Sequence, residues 1–185
     1  MNIPTSLPWF ALYVKPRHEK NVTFMLHGKG YEAFLPTYTH RVKNNKSFEL
    51  PLFPGYVFCR LEPSNRLPVM TTPGIFSIVG NGSEPEPICE DEIEAIRRMI
   101  DSGFVPVPWA YLAPGQEVYL ESGPLRGVQG TVVDANNGKW LVVSINLLRR
   151  SVAVRMEREF LSIKMPVVRS AKCKRSGLQA KAATA

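Results

Sequence analysis

The sequence predicts an α+β protein in two parts: an antiparallel sheet with helices packed on one side, followed by a small β-barrel. Three observations point there. Between residues 9 and 103, short aromatic and β-branched runs alternate with two stretches of helical spacing. From Val118 onward the apolar period becomes two, in runs separated by Gly and Asn turns at ~8–12-residue spacing. Between the two regimes, Val105-Pro106-Val107-Pro108 and Ala113-Pro114 form a Pro-punctuated linker or short edge strand.

Each element has its own signal. Trp9 to Lys15 (WFALYVK) is a strand, and Pro16 ends it where a helix can begin. From Arg17, Val22, Met25 and Leu26 fall at i, i+3 and i+4, and Gly28 and Gly30 supply the stop. Tyr31 to Leu35 is a second strand. Arg41-Val42-Lys43 and Ser47 to Leu50 flank an Asn44-Asn45 turn, a polar and basic hairpin. Tyr56 to Leu61 and Ile75 to Val79 are strands that follow the Pro-Gly turns at Pro54-Gly55 and Pro73-Gly74. Glu90, Asp91 and Glu92 open a helix where its dipole favours acids, and Ile93, Ile96, Met99 and Ile100 form its buried face. Val118 and Leu120, Gly130 to Val133, Trp140 to Ile145 and Ser151 to Arg155 are the strands of the second part. The expected division is residues 1–105, a linker at 106–113, a barrel at 114–165 and a disordered basic tail at 166–185.

Composition excludes several classes. The 185 residues are 44% hydrophobic and 21% charged, which suits a core-forming chain. No apolar run approaches the ~18 residues that span a bilayer, and MNIPTSLPWF lacks the pattern of a secretory signal, so no membrane association is expected. Cys59, Cys89 and Cys173 are isolated, which argues against a disulfide framework or zinc site and for a reducing cytoplasm. The net charge of +7 is uneven: residues 1–66 carry nine basic and four acidic groups, whereas residues 67–111 carry two and seven. That fits either a nucleic-acid partner on one side or ordinary solvated charge. No GxSxG, P-loop, HExxH or dinucleotide fingerprint occurs, and His18, His27 and His40 stand apart, so neither an enzyme nor a metal or cofactor site is expected.

Two segments carry a resemblance. Residues 115–143 (GQEVYLESGPLRGVQGTVVDANNGKWLVV) are similar to the KOW motif, with Gly115, Gly123, Gly127 and Gly130 as its glycines. Pro51 to Phe58 (PLFPGYVF) resembles the signature strand of the NusG N-terminal (NGN) domain. Trp9 to Lys20 resembles its opening strand and helix, and Thr72-Pro73-Gly74-Ile75 with Val79-Gly80 its later turn. In order, over residues 8–163, these motifs identify the chain as resembling the NusG/Spt5 family. The phrase PLFPGYVF and the ending Leu147 to Val154 resemble most the specialised paralogues of the UpxY/RfaH antiterminator type.

The resemblance implies a cytoplasmic, monomeric transcription elongation or antitermination factor, operon-specific and serving polysaccharide-type operons. A general NusG-like factor and a KOW-containing ribosome-associated RNA-binding protein stand as alternatives. It implies that the NGN domain binds the clamp helices of RNA polymerase through Phe53, Pro54 and Tyr56, with Trp9 facing either that partner or the core. By itself, aromatic spacing on these strands reads as core. It implies contact of Lys15, Arg17, His18 and Lys20 with the non-template DNA of the transcription bubble, against a plain solvated helix start. Arg41, Lys43 and Lys46 are a second cationic set facing DNA or polymerase. The KOW domain would recruit a ribosomal protein or a termination factor. Its β-branched, Gly-rich alternation predicts a constitutive β form.

Overall fold

The computed structural model describes residues 7–42, 46–81, 84–112, 117–120, 123–135 and 138–156. The chain opens with β1 (Trp9–Val14), α1 (Glu19–Gly28), β2 (Ala33–Phe34), β3 (Thr37–Val42), β4 (Lys46–Pro51) and β5 (Tyr56–Arg60). A single 3-10 turn (Pro63–Asn65) and the four-residue α2 (Leu67–Met70) lead into β6 (Ile75–Ile78). The short pair β7 (Gly80–Asn81) and β8 (Glu84–Pro85) precedes α3 (Glu90–Asp101). Then come β9 (Val107–Trp109), β10 (Glu117–Tyr119), β11 (Gln129–Ala135), β12 (Gly138–Ile145) and β13 (Arg150–Met156).

The first sheet is antiparallel with strand order β2-β5-β1-β6. Its centre, β1, is buried on both faces, and Tyr13 is its one exposed residue. Phe10, Leu12 and Val14 point to one side and pack with Val22 and Leu26 of α1 and Val69 of α2. Trp9 and Ala11 point to the other side, into a cluster with Phe58 and with Ile93, Ile96 and Met99 of α3. Strand alternation imposes this split, because successive side chains leave opposite faces. Helices therefore cover both faces of the sheet. This corrects the expectation of helices on one side: a central strand apolar at every position but one must be covered twice.

The second sheet runs β10-β11-β12-β13-β9, antiparallel throughout. Among the described residues β9 and β10 are its two edges and do not pair with each other. Pro108 in β9 has no N–H to give and so suits an edge. The Pro-punctuated segment thus supplies an edge strand at Val107–Trp109. Leu141, Val143, Ile145, Val152 and Val154 join the same cluster as α3. One helix face is therefore shared by two sheets. The tether is also polar: Arg98 Nη1 donates to the Gly127 carbonyl at 2.8 Å, and Asn146 Nδ2 to Glu92 Oε1 at 2.9 Å. The expected basic tail lies outside the described residues, as does Lys43 of the hairpin.

Cys59 is free and buried, and burial, with the Glu32 charge nearby, pushes its thiol up to about 12.

Two outcomes follow from this packing. Ile96→Ala should lower stability by about 2–5 kcal/mol, seen as a lower urea midpoint, because the cavity opens against both sheets. The Cys59 thiol stays protonated in the fold while the unfolded chain ionises from about 9, so its contribution is intact below that pH and is lost as pH rises toward about 12. Cys59→Ala should therefore flatten the alkaline decline in thermal midpoint.

Candidate functional site

Two Pro-Gly turns converge on the end of β1. In Phe53-Pro54-Gly55-Tyr56, the Tyr56 N–H donates to the Phe53 carbonyl at 3.1 Å and Gly55 sits at φ 84°. In Thr72-Pro73-Gly74-Ile75, the Ile75 N–H donates to the Thr72 carbonyl at 3.2 Å and Gly74 sits at φ 95°. Pro followed by a left-handed residue is the type II arrangement, and that second position favours Gly. Consecutive amides at and just past the end of β1 close both turns: Val14 N–H donates to the Gly55 carbonyl at 2.9 Å and Lys15 N–H to the Gly74 carbonyl at 2.8 Å. The motif thus recurs on both neighbours of the central strand.

A buried carboxylate locks the first turn. Glu19, only 7% exposed at the start of α1, accepts from the Gly55 N–H through Oε1 at 2.9 Å. The two turns display aromatic side chains at the sheet's end. The Tyr13 ring lies 5.7 Å from Tyr56 and 5.6 Å from Phe76. Tyr13 is 43% and Phe76 56% exposed, an open cluster of the kind that marks an interaction site. Tyr13 and Tyr56 line a cleft of about 630 Å³ with Pro16, Pro54, Gly55 and Ile78, and Phe76 lies beside Tyr13 outside that lining. Arg150, at the start of β13, reaches its edge and stacks over the Tyr56 ring at 5.3 Å.

The residues expected to meet polymerase divide. Pro54 is exposed and Tyr56 half-buried, both lining the cleft. Phe53 and Trp9 are each 1% exposed, so neither presents a surface anchor, and this corrects the expectation for Phe53. The Phe53 ring turns inward, edge-on to Phe58 at 5.5 Å. Trp9 shares the α3 face of β1, lies under Arg60 and Arg97 at 4.6 and 5.1 Å, and donates Nε1 to Glu90 Oε1 at 3.3 Å.

The cations expected to meet DNA sit at the β1–α1 junction beside the cleft. Lys15 and Arg17 are exposed. Arg17 is held at φ 65°, a conformation that costs an L residue about 1–2 kcal/mol and is often retained at functional positions. His18 is half-buried, with Nδ1 3.2 Å from the Pro16 carbonyl. Lys20 is committed to an ion pair with Glu49 of β4, and Glu49 also accepts from Thr37 Oγ1 at 2.9 Å. These hydrogen bonds hold the Glu49 carboxyl below the usual carboxylate range.

Of the KOW glycines, Gly123 and Gly127 lie in the turn before β11 and Gly130 lies within that strand. Gly115 lies outside the described residues. Sequence reasoning missed Tyr13, Phe76, Glu19 and Arg150. The repeated Pro-Gly spacing, which places an aromatic just after each turn, was an available signal for Phe76. Nothing local marks Glu19 or Arg150, whose partners are distant in sequence.

Glu19→Ala leaves the buried Gly55 N–H unpaired and should cost about 1–3 kcal/mol in urea unfolding. Glu19→Gln keeps an acceptor oxygen and should recover most of that loss.

Comparison with known proteins adds to this geometry. Residues 7–97 match the family model described as transcription termination factor nusG. The chain is 33% identical over 114 residues to the transcription termination/antitermination protein NusG of Pseudomonas aeruginosa, covering 59% of this chain and 64% of that protein. That alignment therefore spans less than two thirds of the Pseudomonas protein. It is 29% identical over 178 residues to the NusG of Thermus thermophilus, covering 82% of this chain and 96% of that one. Among solved structures, NusG of Thermotoga maritima shares 19% identity over 80% of this chain and 92% of that chain, at a TM-score of 0.46. On the ordered motifs, the matched family model and the two sequence relatives, the chain belongs to the NusG family.

Proposed function

We propose that this chain is a transcription elongation and antitermination factor that docks on RNA polymerase through the aromatic cleft. The observation that carries this reading is the Tyr13–Tyr56–Phe76 cluster, with Tyr13 and Phe76 exposed, set on hydrogen-bonded turns within the segment that matches the NusG family. Interface hot spots are enriched in aromatic anchors held in place before binding. The polymerase element expected there is the clamp helices, whose apolar side chains would fill the cleft around Pro54 and Tyr56. Arg150 must leave the Tyr56 ring for that helix to seat.

Lys15 and Arg17, exposed beside the cleft, are assigned to the non-template DNA strand by this reading, with His18 as a weaker contributor. Lys20 serves instead to hold the hairpin. The segment from about residue 114 is assigned as a KOW unit that recruits a ribosomal protein or a termination factor. The operon-specific form of the function rests on the likeness of Pro51 to Phe58 and Leu147 to Val154 to the specialised paralogues. A general factor would make the same contacts, and transcription through a terminator on the chain's own operon against an unrelated operon separates the two.

Tyr56→Ala and Phe76→Ala should each weaken capture of RNA polymerase by about 2 kcal/mol, roughly thirtyfold, with the thermal midpoint little changed. Phe53→Ala should instead lower stability by about 3–5 kcal/mol, as a core truncation does. Unchanged capture by the Tyr56 and Phe76 variants would contradict the docking assignment.

A further inference from the structure

Among the described residues, the lining of the cleft carries two charged groups, Glu19 and Arg150. Glu19 is the inner one, buried at the start of α1, with Oε1 accepting from the Gly55 N–H. The first turn of a helix suits an acid, because the dipole favours one there. Arg150 comes from outside the first sheet. Exposed at the start of β13, it lays its guanidinium over the Tyr56 ring at 5.3 Å, within the distance at which an aromatic face attracts a cation. The other lining residues, Tyr13, Tyr56 and Ser77 among them, are uncharged types.

The cleft thus already holds one cation, a guanidinium on a tyrosine face with a buried carboxylate in the same lining. Docking there moves Arg150 off Tyr56 and leaves Glu19 as the charged group of that lining. A carboxylate enclosed by a partner with no counter-charge is costly, so the occupant that fits brings a cation of its own. We propose that the polymerase element seats an arginine side chain in the cleft, its guanidinium on the Tyr56 face and its charge toward Glu19, in the place that Arg150 leaves. Arginine suits this better than lysine, because its planar group both stacks on an aromatic ring and forks onto a carboxylate. Glu19 is then a specificity determinant as well as the lock on the turn. The inference rests on docking at the cleft and adds the charge that selects the partner.

The test is capture of RNA polymerase core enzyme by the full chain across a salt series. Glu19→Gln keeps an acceptor for the Gly55 amide and removes the charge. It should weaken capture about tenfold at low salt and less as salt rises, with the thermal midpoint little changed. Arg150→Ala removes the internal cation and should tighten capture about two- to fivefold. Replacing the arginines of the clamp helices by Gln one at a time should find one whose loss is not additive with that of Glu19→Gln. Wild-type capture by Glu19→Gln beside weakened capture by Tyr56→Ala overturns the proposal and leaves docking at the cleft standing. Wild-type capture by Tyr56→Ala overturns both. A Glu19→Gln loss that is constant across the salt series marks an effect of the turn alone, and overturns the proposal too. So do additive losses for every arginine, and so does weaker capture by Arg150→Ala, which would make Arg150 itself a partner contact.

Discussion

The structure depends on one strand being buried on both sides. β1 sends Phe10, Leu12 and Val14 toward α1 and Trp9 and Ala11 toward α3, and only Tyr13 escapes. Each of those large side chains contributes about 1.5–3 kcal/mol when fully buried, so the strand cannot be displaced without losing both layers. Its far end is therefore a fixed point. The two turn carbonyls of Gly55 and Gly74 bind to it through the adjacent amides of Val14 and Lys15. The cleft inherits its rigidity from that fixed point.

The same arrangement separates the surfaces. The aromatic cleft and the exposed cations Lys15 and Arg17 sit at the end of β1, within a few residues of one another. The acidic start of α3 is used internally: Glu90 meets Arg60 and Trp9, and Glu92 meets Asn146. Arg60 also pairs with Glu32 at 2.9 Å. Much of the charge that looks like a surface pattern in the sequence therefore holds elements together. α3 carries an apolar face wide enough to serve the first sheet and β12 together, and this joins the two sheets in one core. Arg150 over Tyr56 is the point where the second sheet touches the cleft.

Local periodicity made most elements legible. The alternation in WFALYVK, the i, i+3, i+4 spacing of Val22, Met25 and Leu26, and the Ile93–Ile96–Met99 face each correspond to an observed element. The short pieces α2, β7 and β8 were not legible, because four or fewer residues carry no period. Side-chain direction at the turns was harder still. Phe53 and Tyr56 are three residues apart, and only the left-handed Gly55 between them sends one ring inward and the other to the cleft. Glu19 looked like an ordinary helix-start acid, and its partner, the Gly55 amide, lies 36 residues on. Lys20 was legible as a cation but not as half of an ion pair with a strand still to come.

Amide hydrogen exchange of the chain alone and bound to RNA polymerase core enzyme addresses docking at the cleft most directly. Docking there predicts new protection at residues 13–17, 54–57 and 75–79, the end of β1 and the two turns that meet it. Protection confined to the second sheet or to α1, with these three segments exchanging as in the free chain, would contradict it.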